Sequence, residues 1–414
     1  MTHWRVVVLA DQGRKSLVRE VPVAPFRRTV SEITTFAREQ FDLNLFCLFM
    51  AENTAVCRTI DDRGDWGQKA ESEILDKLAQ YNSGEIPNVF ARYGWLEDFK
   101  EWIRPYCGEE ILQIEHHNAS EFFTLLRVCT PERNFWFKAV GEPNTREFAL
   151  TQLLSDHFEE FVPPVLAAHP AWNGWLTEEI AGSPLDECAD LDVWLPVFEG
   201  LAELQVESRP HLREFLSAGA RDWRTPVMLA RLDSFFDAMG GVMQVQPKEP
   251  PRRMSRQELE DLAFNLTLVC REYETLGIPD TLIHGDINPF NIFVRDNRPV
   301  FLDWAETYVG NPFLCAQHLL VHFERSHPSE IDYLRLLRDA YNLPWRDVLS
   351  DDVIERAWEL APCVAPLLNA LYLPDVDIRH MGTEARRGAF LRSLTRTMKR
   401  ELERSYGNTS RAIA

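Results

Sequence analysis

The segment from residue 282 to residue 304 constrains the fold of this chain more than any other part. Short apolar runs alternate in it with polar stretches. The pattern predicts a loop, a short strand, a hairpin turn at residues 295–298 and a second strand. Such a hairpin would bring Asp286, Asn291 and Asp303 together at its ends.

These three side chains have the chemistry of phosphoryl transfer. The amide oxygen of Asn291 and the carboxylate of Asp303 are hard ligands, of the kind that Mg²⁺ takes when substrate phosphates fill its other positions. The Asp286 carboxylate is suited to accept a proton from an attacking hydroxyl group. Phosphoryl transfer needs positioning, charge neutralisation and a base. We therefore predict that Asp286 is catalytic and that Asn291 and Asp303 bind the metal.

The spacing of these residues resembles the signature of the aminoglycoside phosphotransferase family. The motif is His-Gly-Asp at residues 284–286, then Asn291 after four more residues, then Leu-Asp-Trp at residues 302–304. This family is the small-molecule branch of the protein-kinase-like fold, whose protein kinases have His-Arg-Asp and Asp-Phe-Gly instead. The resemblance covers roughly residues 106–340. It implies a bilobal fold, with a small antiparallel β-sheet lobe and a larger helical lobe, and an enzyme that uses ATP and Mg²⁺.

The resemblance also assigns upstream residues to the nucleotide. A kinase-like fold needs a strand lysine for the α- and β-phosphates and a helix glutamate that orients this lysine. Lys138 lies in an otherwise apolar predicted strand, and Glu147 lies on the predicted helix that follows. The segment 175–185, which includes Glu178 and Ile180, is similar to the inter-lobe hinge whose backbone would hold adenine.

The loop expected to cover the phosphates departs from the family pattern. It would lie between residues 114 and 122, and it contains no glycine. Asn118 can adopt left-handed backbone geometry and Ser120 can offer a hydroxyl, so both are predicted to contact the nucleotide from a tight turn. The adjacent His116 and His117 are expected to be solvated turn residues. They lack the i, i+4 spacing of a helical metal pair.

The pattern of predicted elements divides the chain into three domains. Residues 1–105 have the pattern of a separate α+β domain of unknown role, without a catalytic constellation. Residues 106–180 combine strand candidates with one helix and correspond to the sheet lobe and the hinge. Residues 181–414 are mostly helical and contain the catalytic hairpin and the acceptor site. The predicted fold class is α+β, kinase-like and bilobal, with an extra N-terminal domain.

The composition excludes several classes of protein. The 414 residues carry 44 Lys and Arg against 64 Asp and Glu, a net charge of −20, so no nucleic-acid partner is expected. The eight cysteines are scattered and predict buried thiols rather than disulfides or a zinc site. The longest apolar stretch, 361–373, is too short for a membrane span. We therefore expect a soluble cytoplasmic protein.

Together these features predict an ATP- and Mg²⁺-dependent phosphotransferase that acts on a hydroxyl of a small molecule. Only a few residues separate Asp303 from Gly310, too few for the activation segment of a protein kinase. Carboxylates such as Glu306, Asp351 and Asp352 would suit a cationic acceptor, and amino sugars, choline-like compounds, sugars and amino alcohols all stay open. GTP is the alternative nucleotide, because a hinge reads the base through backbone groups.

Two other functions remain open at this point. One is a catalytically weak kinase-like module that binds a nucleotide or a partner, with residues 1–105 as its interaction unit. The other is an enzyme that transfers a nucleotidyl group. The sequence leaves the oligomeric state undefined.

Overall fold

The computed structural model describes residues 2–24, 29–61, 66, 68–107, 110–120, 123–373 and 384–406. These residues form two compact units. The N-terminal unit contains residues 1–155 and 163–180, and the C-terminal unit contains residues 156–162 and 181–414. Both units combine strands and helices, so the predicted α+β class is confirmed.

A four-stranded sheet begins the N-terminal unit. Its strands are β1 (Thr2–Ala10), β2 (Lys15–Val23), β3 (Leu45–Ala51) and β4 (Thr54–Thr59), and the accompanying helices are α1 (Thr29–Phe41), α2 (Ser72–Ser83) and α3 (Trp95–Cys107). The strand order is β2-β1-β4-β3, with β1 and β4 parallel. Residues 6–10 of strand β1 are all apolar, and both faces of the strand are buried there: Val6 and Val8 belong to one core cluster, Val7 and Leu9 to another.

A five-stranded antiparallel sheet follows in the same unit. Its strands are β5 (Gln113–Ser120), β6 (Phe123–Cys129), β7 (Asn134–Val140), β8 (Val165–His169) and β9 (Gly174–Glu178), and helix α4 (Arg146–His157) follows β7 in the chain. The order is β5-β6-β7-β9-β8. The predicted hairpin turn joins β6 and β7, and it is closed because Thr130 and Arg133 bond each other, with each N–H donating at 3.2 Å.

The two sheets of the N-terminal unit share one apolar core. Trp95 is fully buried, and its ring stacks on Phe46 of β3 at 5.6 Å and approaches Phe137 of β7 at 6.1 Å. The first 105 residues therefore pack together with the five-stranded sheet. The predicted boundary at residue 180 coincides with a boundary between the two units, whereas none falls at residue 105. A separate role for the first 105 residues stays a prediction.

Strand β5 occupies most of the segment for which we predicted a phosphate loop. The strand continues to Ser120 and pairs with β6. A register shift between His116 and Asn118 lets the strand keep pairing through this stretch. The predicted loop is therefore wrong for residues 114–120. Glu121 and Phe122, which complete it, lie outside the described residues.

His116 is buried, so its predicted solvated position is wrong. Only 1% of the residue is exposed. Its Nδ1 accepts a hydrogen bond from the N–H of Cys47 at 3.0 Å, and its Nε2 lies 3.0 Å from the hydroxyl of Thr124. His117 is half-buried in the same strand, and its Nε2 lies 3.2 Å from the carboxylate of Glu115. Strand alternation explains the difference, since it directs His116 into the unit.

Helices dominate the C-terminal unit. They are α5 (Trp194–Ser208), α6 (Leu212–Ser217), α7 (Thr225–Gln244), α8 (Arg256–Thr275), α9 (Pro312–Ser326), α10 (Ile331–Trp345), α11 (Asp351–Tyr372) and α12 (Glu384–Tyr406). Helix α8 begins with the predicted capping box: the Ser255 hydroxyl accepts from the N–H of Glu258 at 3.2 Å, and the Glu258 carboxylate accepts from the N–H of Ser255 at 2.9 Å.

Six short strands complete the C-terminal unit. They are β10 (Ser183–Pro184), β11 (Arg221–Asp222), β12 (Thr281–Ile283), β13 (Ile292–Arg295), β14 (Arg298–Phe301) and β15 (Tyr308–Gly310). They form two sheets, in the orders β10-β13-β14 and β11-β15-β12. Both sheets border the segment 284–307, which carries the predicted catalytic residues.

Two sequence expectations outside this segment can be compared with the structure. Six of the eight cysteines are buried as predicted, while Cys129 and Cys188 are half-buried. Within the described ranges, every helix falls short of the length and apolarity that crossing a membrane would require.

Candidate active site

Strands β13 and β14 form the predicted hairpin. Arg295 pairs with Arg298 across a two-residue turn. The turn residues Asp296 and Asn297 have φ values of 51° and 62°. Positive φ at both central positions matches the twist of the strands, and Asp and Asn tolerate it better than most residues. Strand β14 then leads through Leu302 to Asp303.

Side-chain amides fix Asp286 in the loop between β12 and β13. The Asn291 amide donates to the backbone carbonyl of Asp286 at 3.0 Å and to its carboxylate at 3.1 Å. The Asn288 amide donates to the same carbonyl at 3.1 Å. Asn288 also accepts from the N–H of Phe290 at 3.0 Å, which caps the helical turn that contains Asn291. The predicted base and one predicted metal ligand are thus direct neighbours.

The buried His284 connects this loop to the end of the hairpin. Its Nε2 donates to the carbonyl of Leu302, the residue before Asp303, at 2.7 Å. The N–H of Leu302 donates in turn to the carbonyl of Asn291 at 2.8 Å. Through these bonds the structure brings Asp286, Asn291 and Asp303 to one end of the hairpin.

Two residues of the site have left-handed backbone geometry. Gly285 has φ +81°, and a Cβ at this position would lie 2.0 Å from the carbonyl oxygen of Glu306. Only glycine permits this close approach. Asp303 has φ 65° and ψ 69°. A non-glycine residue in this region carries strain on the order of 1–3 kcal/mol, which is typical of functional sites.

The donor atoms at the hairpin end fit a magnesium ion. The amide nitrogen of Asn291 is engaged by Asp286, so its amide oxygen points away from Asp286. The Asp303 side chain is exposed. One amide oxygen and one carboxylate, with positions left for water and phosphate oxygens, are the ligands that Mg²⁺ takes in phosphotransfer sites.

The surroundings of Asp286 make it a better proton acceptor than an ordinary aspartate. The residue is exposed at the surface, and its carboxyl group is partly enclosed by protein. This partial burial, followed by the negative charge of Asp303, raises the pKa of Asp286 to about 6, while hydrogen bonds from Asn288 and Asn291 act in the opposite direction. A pKa near the working pH favours proton transfer. A cation held by Asp303 would offset part of the increase.

Sequence reasoning missed two residues that hold Glu306 beside Gly285. Arg221 donates to the Glu306 carboxylate at 2.6 Å and to the Tyr372 hydroxyl at 2.5 Å. The Tyr372 hydroxyl donates in turn to the Glu306 carboxylate. Arg221 and Tyr372 lie 85 and 66 residues from Glu306 in the chain, so no local pattern could indicate them. Arg221 neutralises the charge of Glu306. From the sequence we expected this carboxylate to suit a cationic acceptor.

Lys138 and Glu147 form an ion pair in the N-terminal unit. The Lys138 ammonium lies 2.5 Å from the Glu147 carboxylate, and their side chains are 16% and 2% exposed. Phe123 and Trp175 flank the ammonium, with ring centroids at 5.7 Å and 5.9 Å. Buried charges persist only when they are paired. The predicted partnership of strand lysine and helix glutamate is present in the structure.

The remaining predicted nucleotide residues lie in the same unit. Asn118 and Ser120 are on β5, and the side-chain amide oxygen of Asn118 accepts from the N–H of Ala119 at 3.0 Å. Glu178 ends β9 on the surface, 3.3 Å from Arg133, and Ile180 is half-buried at the end of the unit. Contact of these four residues with a nucleotide stays a prediction.

Glu179 lies between the predicted hinge residues Glu178 and Ile180, and its side chain forms a network of hydrogen bonds. Its carboxylate accepts from Arg127 at 2.6 Å and 2.9 Å, from Asn134 at 2.6 Å and from Trp136 at 3.1 Å. The bonds from Arg127 lead the causes that lower the pKa of Glu179. This network ties the chain after β9 to β6 and β7.

Comparison with known families identifies the part of the chain that carries the site. The profile described as the phosphotransferase enzyme family matches residues 145–314. The matched segment includes Glu147, Asp286, Asn291 and Asp303, and it excludes Lys138. The resemblance predicted from the His-Gly-Asp motif is thereby confirmed. Among curated proteins, no sequence matches the chain significantly.

Two solved structures show the same fold at low sequence identity. An ethanolamine kinase from Plasmodium vivax is 11% identical, with a TM-score of 0.50, and the match covers 82% of this chain and 95% of that one. A choline kinase from Cryptosporidium parvum is 13% identical, also with a TM-score of 0.50, and the match covers 81% of this chain and 96% of that one. The predicted kinase-like fold is thus confirmed in its general form.

Proposed function

We propose that the chain transfers the γ-phosphate of ATP to a hydroxyl group of a small molecule, and we start from the match of residues 145–314 to the phosphotransferase enzyme family. The observation that carries the proposal is the arrangement of Asp286, Asn291 and Asp303 at one hairpin end, joined through His284 and Leu302. All five residues lie within the matched segment.

Asp286 has the role of base in this proposal. Its carboxylate accepts the proton of the attacking hydroxyl or orients that hydroxyl toward the phosphorus. Asp286 is exposed, so an acceptor hydroxyl can reach its carboxylate. The packing of Gly285 against the carbonyl of Glu306 fixes the loop, so the carboxylate is in place before the acceptor binds.

Asn291 and Asp303 would hold Mg²⁺. When bound, the ion neutralises charge on the transferring phosphoryl group and orients its oxygens. The chain contributes the fixed positions of the two donors: the hydrogen bonds to Asp286 orient the Asn291 amide, and the anchored Leu302 positions Asp303. A displacement of either donor would misplace the phosphates relative to Asp286.

Lys138 would hold the α- and β-phosphates. Glu147 accepts a hydrogen bond from the Lys138 ammonium, which limits the directions in which the ammonium can donate. The backbone at Glu178 and Ile180 would bind the base, and GTP is the alternative nucleotide. Asn118 and Ser120, near the end of β5, would contact the phosphates.

The acceptor class includes amino sugars, choline-like compounds, sugars and amino alcohols. A cationic acceptor is supported by the net charge of −20 of the chain. Glu306 contributes less to this argument, because Arg221 neutralises it.

Nucleotide binding and transfer can be tested in sequence. The melting temperature of the protein is first measured with Mg-ATP and Mg-GTP. A nucleotide at about 100 times its Kd should stabilise the native state by about 2.7 kcal/mol. ADP release is then measured with a panel of hydroxylated amines and sugars, and the product is weighed by mass spectrometry.

The product distinguishes the functions. Acceptor-dependent ADP release, with one phosphoryl group added to the acceptor, supports the proposal. An acceptor that gains a nucleotidyl group would indicate the other transfer reaction. A melting temperature that neither nucleotide changes would contradict the proposed nucleotide site.

A further inference from the structure

A cluster of two histidines and one glutamate lies on the surface of the C-terminal unit, outside the hairpin site. Among the residues that the structure describes, His157, His211 and Glu214 are the one set of potential metal ligands whose donor atoms all lie within 4.8 Å of one another. His157 is the last residue of α4, His211 precedes α6, and Glu214 lies in the first turn of α6.

The donor atoms already point toward one another. His157 Nε2 lies 3.0 Å from one carboxylate oxygen of Glu214, and His211 Nδ1 lies 3.5 Å from the other. Two ligands of a tetrahedral zinc ion are separated by about 3.3 Å when their bonds to the ion are about 2.0–2.1 Å. The observed separations lie on either side of this value. We propose that His157, His211 and Glu214 bind a divalent transition-metal ion, with Zn²⁺ as the ion that best fits two imidazoles and one carboxylate.

Aromatic packing holds the two imidazoles in position. Their ring centroids are 3.9 Å apart. Phe158 packs beside both, with its ring centroid 5.9 Å from that of His157 and 6.0 Å from that of His211, and it stacks on the buried Phe215 at 6.1 Å. The rings therefore lose little freedom when they bind an ion. A site whose ligands are held by their surroundings binds more tightly than the same residues on a mobile surface.

The protonation states required for binding are accessible. Each imidazole must present an unprotonated nitrogen to the ion. In a neutral histidine this only moves the proton to the other ring nitrogen, away from Glu214. The ion then replaces the two bridging protons, and water can fill the fourth position.

Binding at this site would have a structural effect. The ion would link the C-terminal end of α4 to the segment that begins α6. Both parts belong to the C-terminal unit, so the link would stabilise that unit. This effect gives a measurement that does not depend on catalytic activity.

Calorimetric titration of the full chain with Zn²⁺ tests the proposal. The protein is first freed of metal by a chelator and kept reduced by a reagent that does not bind zinc. We expect one Zn²⁺ per chain and a melting temperature that rises with Zn²⁺. His211→Asn and Glu214→Gln should each weaken Zn²⁺ binding by about tenfold or more. Loss of a residue that only hydrogen-bonds to a metal ligand already lowers metal affinity by about tenfold or more, and loss of a ligand itself should lower it at least as much. Co²⁺ should give the absorption of a four- or five-coordinate ion in the wild type but not in the His211→Asn and Glu214→Gln variants.

His3→Asn is the matched control, because it removes one exposed histidine from the N-terminal unit. It should bind Zn²⁺ like the wild type. Glu214→Gln keeps the shape of the side chain, so its melting temperature without metal reports whether the fold is intact. Equal Zn²⁺ affinity in the wild type and in a His157→Asn/His211→Asn double variant would overturn the proposal, and so would the absence of binding at submillimolar Zn²⁺.

Discussion

The side-chain amide of Asn291 donates to the carboxylate of Asp286 at 3.1 Å, so the proposed base and a proposed metal ligand share one hydrogen bond. Asp286→Asn keeps the size of the side chain but removes its ability to accept a proton. We expect kcat to fall by about 10²–10⁴, the range associated with a general base. The nucleotide-dependent change in melting temperature should persist. ADP release with an identified acceptor measures the first effect.

Asp296→Asn is the control for this substitution. Asp296 lies exposed in the hairpin turn with φ 51°, a conformation that asparagine tolerates. This variant should retain the activity of the wild type. If Asp286→Asn also retained near-native kcat, Asp286 could not be the base.

The buried ion pair of Lys138 and Glu147 leads to a prediction about the stability of the folded protein. Lys138→Met leaves the Glu147 carboxylate, whose side chain is 2% exposed, without its ammonium partner. We expect a loss of stability of about 3 kcal/mol, because an unpaired buried charge is costly. Lys138→Met/Glu147→Gln should recover part of this loss, since neither side chain of the pair is then charged.

A measurement of nucleotide binding distinguishes the structural role of Lys138 from its proposed role in binding the phosphates. The double variant should be stable but should show a much smaller melting shift with Mg-ATP. Lys77→Met serves as a control in the same unit, because the Lys77 ammonium lies over the ring of Phe49. A double variant with the full Mg-ATP shift would remove Lys138 from the nucleotide site.

The residues that could be predicted from the sequence are those whose partners are close in the chain. Asp286, Asn291 and Asp303 lie within one hairpin, and the turn at Asp296 and Asn297 fixes its register. The spacing of these residues in the sequence is therefore enough to predict that their side chains lie close together. The same holds for the capping box of α8, whose two partners are three residues apart.

Contacts between distant segments could not be predicted in this way. Arg221 and Tyr372 meet at Glu306 only because β11, β15 and α11 pack together, and nothing in their local sequence indicates it. The predicted solvated position of His116 is wrong for a related reason. Its neighbours suggested a polar turn, whereas its position is determined by a hydrogen bond from Cys47, on a strand 69 residues away.

The contact between Tyr372 and Glu306 predicts a third effect. Tyr372→Phe removes the hydroxyl that donates to the Glu306 carboxylate and accepts from Arg221. The Glu306 backbone packs against Gly285, so we expect a less well fixed Asp286 and a kcat lower by about tenfold. Stability should fall by only about 1 kcal/mol, the usual cost of a lost hydrogen bond. Steady-state kinetics and thermal melting measure the two effects.

Tyr333→Phe provides the comparison. The Tyr333 hydroxyl also donates to a carboxylate, that of Asp192, but on the surface of α10. Its removal should leave kcat unchanged. Equal kcat in the Tyr372→Phe and Tyr333→Phe variants would show that Tyr372 does not position the loop.

The buried His116 predicts how stability depends on pH. Its Nδ1 accepts a hydrogen bond from the N–H of Cys47, so a proton on Nδ1 would break that bond. Burial, with a smaller contribution from the charge of His117, lowers the pKa of His116 to about 3. In the unfolded chain the pKa of histidine is about 6.5. The unfolded state therefore binds the proton first as the pH falls.

The contribution of His116 to stability is accordingly full above pH 6.5 and is lost progressively as the pH falls toward 3. Between pH 7.5 and pH 5.5 we expect this residue to cost the folded state about 1 kcal/mol. His116→Asn can still accept from the N–H of Cys47 but cannot titrate, although it loses the ring that stacks on Phe46 at 4.5 Å. It should melt lower than the wild type at pH 7.5 and lose less stability on acidification. His3→Asn, an exposed control, should keep the pH dependence of the wild type, and an unchanged dependence in His116→Asn would show that His116 is not protonated on unfolding.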